Sequence, residues 1–161
     1  MAGKIKHFKR FSVVQGDIKV NVNLSRFEKQ YRDAQFWLDS QVMTDMVPYM
    51  PHQTGTFVNI TRAMSAALAG SGEVVAAAPP YGRFLYEGKK MVDIQTGKGP
   101  RKIPTGPGEY VWRYRKGAKL KATEEDLTYS NPKATPHWFD TAKDQNLKAW
   151  VKGVKKRAGG G

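Results

Sequence analysis

Four groups of residues in this chain have types or spacing that could do chemistry, and each lacks a partner that the chemistry requires. Thr96-Gly97-Lys98-Gly99 contains the Gly-Lys pair of a phosphate loop. That loop needs a glycine five positions before the pair and Ser or Thr after the lysine; Val92 and Gly99 stand there instead. Ser130-Asn131-Pro132-Lys133 has the Ser-x-x-Lys spacing of an acyl-transferring serine. The spacing works when one helical turn carries the lysine under the serine, and Pro132 opposes that turn. His7, His52 and His137 lie far apart with no ligand at i+3 or i+4, so no metal site is expected. Glu124-Glu125-Asp126 is an acidic run whose neighbours point apart on an exposed turn, which suits solvation better than acid-base work. The chain has no cysteine, which excludes a disulfide scaffold, thiolate chemistry and cysteine-ligated zinc. No nucleophile and base can be paired, so the chain is not expected to be an enzyme and no cofactor is expected.

Binding is the remaining chemistry. The formal net charge of +13 favours nucleic acid, acidic protein or an anionic surface as partner, and says nothing about fold. The charge is concentrated. Between residues 89 and 121, ten basic residues (Lys89, Lys90, Lys98, Arg101, Lys102, Arg113, Arg115, Lys116, Lys119 and Lys121) face only Asp93 and Glu109, a balance of +8. Smaller clusters sit at Lys4, Lys6, Lys9 and Arg10 and at Lys152, Lys155, Lys156 and Arg157. For any one cluster a solvated loop or tail is the simpler reading. Tyr110, Trp112 and Tyr114 alternate with Val111 and Arg113 and, among Arg113, Arg115 and Lys116, could stack single-stranded bases over a basic groove. Alternate aromatics on one strand face are more often core, and Trp138 and Trp150 likewise suit a core or a subunit contact.

At 161 residues, 40% hydrophobic and 11% aromatic, the chain suits one globular domain. The basic start lacks the apolar run of a signal peptide, and no segment reaches the roughly 18 apolar residues of a membrane span, so a soluble protein is expected. Ile18, Val20, Val22 and Leu24 alternate with polar residues, the pattern of a strand with one buried face, entered through Gln15-Gly16-Asp17. Ser25-Arg26-Phe27-Glu28 predicts a capping box opening a helix whose stripe is Phe27, Tyr31, Ala34, Leu38 and Val42, flanked by Trp37 and Met46 and stopped by Pro48. Arg62 to Ala69 reads as either a short helix or a strand, and a hairpin is the favoured reading, with residues 60–69 and 73–78 as its strands and Gly70-Ser71-Gly72 as its turn. A helical turn over 81–88 brings Phe84, Leu85 and Tyr86 to the core, and residues 89–109 read as an extended loop before a strand at 110–114. Thr135-Pro136 predicts an N-cap and a first-turn proline for a last helix carrying Trp138, Phe139, Ala142, Asn146 and Trp150 and ending near Gly153. The expected fold is α+β: an antiparallel β-sheet packed by two long helices near 25–46 and 136–153, with a basic arm at 1–10 and a flexible tail at 154–161. Tyr81, Phe84, Tyr86, Trp112, Trp138, Phe139 and Trp150 are the candidate core or interface aromatics.

Four blocks carry a resemblance: PYMPHQTGTF (48–57), APPYGRFLYEGKKMVDIQTGKG (78–99), LTYSNPKATPHWFDTAKDQN (127–146) and KAWVKGVKK (148–156). In this order they resemble the minor capsid protein family of tailed bacteriophages, the small neck and tail-completion proteins that join a DNA-filled head to a tail. The resemblance spans Val47 to Lys156, and the residues before Leu24 carry none of it, so their role is open. It implies a non-catalytic virion component made in the bacterial cytoplasm and present as a homo-oligomeric ring, hexameric or dodecameric. Its implied partners are adjacent connector, tail-terminator or tail-tube proteins and packaged DNA, with no membrane. The ten basic residues of 89–121 then become candidate inter-subunit or DNA contacts. The alternative is a basic cytoplasmic nucleic-acid-binding module that uses the same loop with Tyr110, Trp112 and Tyr114.

Overall fold

The computed structural model describes residues 11–51, 55–79 and 82–159. In chain order it has β1 (Phe11–Gln15), β2 (Ile18–Val22), α1 (Ser25–Met46), a 3₁₀ turn (Val47–Tyr49), α2 (Thr56–Leu68), α3 (Gly82–Glu87), β3 (Lys89–Asp93), β4 (Arg101–Gly106), β5 (Glu109–Arg113), β6 (Leu120–Asp126) and α4 (Trp138–Arg157). The α+β class is as expected, but the strands do not form one sheet. They make three separate antiparallel ribbons, β1-β2, β3-β6 and β4-β5. Each ribbon has only two strands because the long helices bury their stripes mainly against each other, leaving no wide apolar floor on which a sheet could assemble.

The body is built from α1 and α4. Trp150 on α4 donates its indole N–H to Asp45 on α1 at 2.6 Å, Gly153 lies against Trp37, and Gly159 lies beside Gln30, so α4 runs antiparallel to α1. Val42, Met43 and Met46 from α1, Met50, Val58 from α2, and Trp138, Ala142 and Trp150 from α4 form the core. The Trp138 stripe is therefore as expected, with Tyr86, Leu85 and Phe139 half-buried against it. Phe84 is half-buried outside this cluster, and Tyr81 lies outside the described residues.

The predicted hairpin over 60–78 is not present, because residues 56–68 are helical. Val58, Thr61 and Ser65 fall three and four apart and are the buried face, while Ala63, Ala66 and Ala67 favour helix. β-branched Ile60 and Thr61 suggested a strand, but tertiary packing overrides that preference. The segment after the Gly70-Ser71-Gly72 turn is held by hydroxyl groups rather than by a strand ladder. Ser65 Oγ donates to the Val75 carbonyl at 2.9 Å and accepts the Val75 N–H at 3.0 Å, and Thr61 Oγ1 accepts the Ala78 N–H at 3.2 Å. Buried Asp39 holds the turn itself, accepting the N–H groups of Gly70 and Gly72 at 2.7 and 3.1 Å.

Both long helices start differently from expectation. Leu24 is the N-cap of α1 with no side-chain cap bond, and Asn23 accepts the Ser25 N–H at 3.0 Å, so the Ser25–Glu28 capping box does not form. Helix α4 begins at Trp138 behind His137, which adopts a left-handed φ of 48°. Its N–H donates to the Tyr86 carbonyl at 2.9 Å, which fixes the chain short of a helix start at Thr135-Pro136. Helix α4 continues past Gly153 to Arg157, so residues 154–157 are helix rather than tail. On α1 the lower part of the predicted stripe is exposed: Phe27 is 49% and Tyr31 38% accessible.

Gly153 is required by this contact between helices. A Cβ there would lie 2.0 Å from the Trp37 ring, over which the Arg157 guanidinium stacks at 4.0 Å. Gly153→Ala should gain about 1 kcal/mol of helix propensity but lose about 1–3 kcal/mol to overpacking. A net fall in denaturation midpoint is expected, relieved when Trp37→Leu is added. Chemical denaturation of the two variants checks the order.

Candidate functional site

Residues 89–121 form a two-tier structure rather than a loop. In the lower tier β3 pairs with β6, Lys89 opposite Asp126 and Asp93 opposite Leu120. In the upper tier β4 pairs with β5, with Arg101 opposite Arg113, Lys102 opposite Trp112 and Ile103 opposite Val111. Two strands thus occupy most of the stretch expected as an extended loop. The Gly-rich composition that suggested a loop serves the turns: Gly97 and Gly108 both adopt left-handed φ values, 65° and 75°.

Asp93 joins the two tiers. Its side chain is 3% exposed, and Arg115 engages it through Nε and through Nη2, the latter at 3.1 Å while also donating to Gln95 at 2.6 Å. Asp93 also accepts the Gln95 N–H at 3.1 Å and the Thr96 hydroxyl at 3.3 Å. Its backbone closes the same turn, with Gly97 N–H to Asp93 O at 2.7 Å and Asp93 N–H to Lys98 O at 2.9 Å. The TGKG motif is therefore the rim of an aspartate-anchored turn. The hydrogen bond from Arg115, reinforced by those from Gln95 and Thr96, outweighs desolvation and holds the Asp93 carboxyl below its ordinary range. The same pairing raises Arg115. Tyr114 adds a second tie, donating its hydroxyl to the Met91 carbonyl at 2.8 Å, and partial burial raises its pKa.

The ten candidate cations separate by role. Lys89 pairs with Asp126 at 2.5 Å and Lys90 with Glu125 at 2.7 Å, so most of the acidic run 124–126 neutralises β3 across the lower ribbon. These contacts are exposed, and such pairs contribute little to stability. Lys102 stands over the rings of Tyr110 and Trp112, at 4.3 and 5.4 Å from their centres. Lys98, Arg101, Arg113, Lys116, Lys119 and Lys121 make no ion pair among the described residues.

Tyr110 and Trp112 are not core, contrary to the simpler expectation for alternate aromatics. They are 51% and 50% exposed and meet edge to face at 6.1 Å, while half-buried Ile103 and Val111 lie on the other face of the ribbon. Tyr114 departs from the pair because its hydroxyl is turned onto β3.

Two apolar surfaces lie elsewhere. On β2, Ile18 is 68% and Val20 49% exposed on the face expected to be buried. Strand alternation marks which residues share a face, and among the described residues no core element covers that face. A groove between α1 and α4 is lined by Leu38, Val42, Phe139, Leu147, Val151 and Val154. Sequence reasoning missed both surfaces, and it also missed Asp93 and Asp39, lone acids whose partners lie 22 and more than 30 residues away. Among the described residues no helix is long and apolar enough to cross a membrane, and no cluster of His, Cys, Asp and Glu could hold a metal ion. No family model, curated protein or solved structure matches the chain at a significant level.

The lowered Asp93 pKa makes a pH-dependent contribution of known sign. The charged carboxylate stabilises the fold fully above the ordinary aspartate range, near pH 4, and the contribution is lost as pH falls through the depressed value. Asp93→Asn should therefore melt below the wild type at neutral pH, with the gap narrowing as the pH falls below about 4. Thermal unfolding of both proteins across pH 2.5 to 7 measures it.

Proposed function

We propose that this chain is a structural, non-catalytic virion protein of a tailed bacteriophage, a ring-forming neck component that joins the DNA-filled head to the tail. The ordered blocks from Val47 to Lys156 suggest the family. The geometric observation that supports the reading is a pair of unlike apolar surfaces, the Ile18/Val20 face of the β1-β2 ribbon and the Leu38/Phe139/Leu147/Val151 groove of α1 and α4.

A closed ring of identical subunits is built from heterologous contacts, in which one surface of each copy meets a different surface of the next. A hairpin projecting from the body and an open groove on the helices have suitable shapes for that. An isolated two-stranded ribbon is marginally stable in water, and contact with a neighbour would supply the missing apolar layer. The connection would be with other neck or tail proteins along the axis, and with DNA where the basic ribbon faces the channel.

Sedimentation velocity on the purified protein and electron microscopy of particles test the reading. A symmetric ring in the particle is expected, and a monomer in both settings would overturn it. Ile18→Lys and Leu147→Asp should each leave the monomer folded by circular dichroism while reducing assembly at least tenfold. Both substitutions fall on exposed sites, where changes to stability are usually within about 0.5 kcal/mol.

A further inference from the structure

We infer that the cleft between the 93–98 turn and the open end of the β4-β5 ribbon binds a phosphate group of a nucleic-acid backbone. Lys98, Arg101, Arg113 and Arg115 line it, with Asp93 and Thr96. Four cations therefore share one carboxylate, and that carboxylate already receives both nitrogens of Arg115. Lys98, Arg101 and Arg113 converge on the cleft with no acidic partner among the described residues.

The register sharpens this. Arg101 and Arg113 stand directly opposite each other across the ribbon. Like charges in that position destabilise strand pairing. An anion seated between the two guanidinium groups turns the repulsion into charge-assisted hydrogen bonds. Two forks approaching from different strands suit an acceptor with oxygens on several sides, as a tetrahedral phosphate has; one carboxylate is filled by one fork. The backbone frame is already ordered: the Lys98 carbonyl is bonded to Asp93 N–H at 2.9 Å and Arg115 is tied to Asp93 and Gln95, so binding has to order only the exposed side chains of Lys98, Arg101 and Arg113.

A polymer fits better than a free ion. Lys116, Lys119 and Lys121 follow along the chain without ion-pair partners among the described residues, and Lys102, Tyr110 and Trp112 stand exposed on the reverse face of the ribbon. Only a ligand with repeated charges can use these together with the cleft. The site deepens the proposed function by naming where DNA is held, but it is read on the isolated chain. Loss of DNA binding and loss of ring formation are separate results.

Fluorescence anisotropy of the full chain with a labelled DNA duplex of mixed sequence, over a range of KCl concentrations, provides the test. Each phosphate contact contributes about 0.9 to the slope of log K against log salt, so Arg101→Gln with Arg113→Gln should flatten the slope by about 2 and weaken binding at least tenfold. Lys148→Gln with Lys152→Gln removes the same charge from the exposed surface of α4 and should change the slope by less than about 0.5. Circular dichroism confirms that both double variants are folded. Equal losses in the two variants would reduce the effect to net charge and overturn the site. Absence of binding by the wild type, or displacement of DNA by polyglutamate as effective per charge as unlabelled DNA, would overturn it as well.

Discussion

The structure depends on the burial of Trp138. Its ring is fully buried, its indole N–H donates to the Ala76 carbonyl at 2.8 Å, and the rings of Phe57 and Tyr86 meet it edge-on at 5.9 and 4.8 Å. These contacts bring α2, the segment after it, α3 and the start of α4 to one point. Truncating such a side chain costs about 3–5 kcal/mol, a large share of the stability of a small domain. The left-handed His137 follows from this: its N–H is held by the Tyr86 carbonyl, and the turn delivers the next residue into the core. Around this point the helices acquire fixed positions, and the ribbons extend from them.

Electrostatics follow a similar division between framework and surface. Three acids near the basic segment are engaged in holding it: Asp93 takes Arg115, Asp126 takes Lys89 and Glu125 takes Lys90. The charged side chains of residues 89–121 left without an ion pair are, among the described residues, positive. A ribbon of two strands can carry that charge because its cations are well solvated and few of its side chains need burial. The same cations on a core-facing strand would each require a partner. The placement of the +8 balance of residues 89–121 is thus a consequence of how little of that segment enters the core.

The apolar surfaces point the same way. Among the described residues only ten hydrophobic side chains are buried, while large ones on β2, α1, α2, β5 and α4 remain exposed. Single exposed hydrophobic residues are ordinary, but a lined groove and a hairpin face are contiguous patches of the kind associated with interaction. A subunit whose burial is completed by its neighbours would have this distribution. In that view the three small ribbons are not a failed sheet but separate projections from one helical body.

Local patterns in the sequence determined much of this. The 3.6-residue stripe marked α1 and α4 because a helix repeats its faces within one turn, and Gln15-Gly16-Asp17 and Gly70-Ser71-Gly72 marked turns because glycine tolerates their backbone angles. Tyr86, Trp138 and Trp150 were recognisable as core because large aromatics gain most from leaving water. The exclusion of thiolate chemistry and disulfides needed only a residue count. Tertiary structure decided the rest. Thr61 and Ser65 looked like strand residues until their hydroxyls found the backbone of residues 75–78, and Ile18 and Val20 looked buried because alternation identifies a shared face but not its cover. Asp93 and Arg115 lie 22 residues apart, Asp39 and Gly70 lie 31 apart, and Arg101 meets Arg113 only through strand register. Local sequence sets which conformations are cheap, whereas the choice among them rests on contacts between distant residues, which no short window contains.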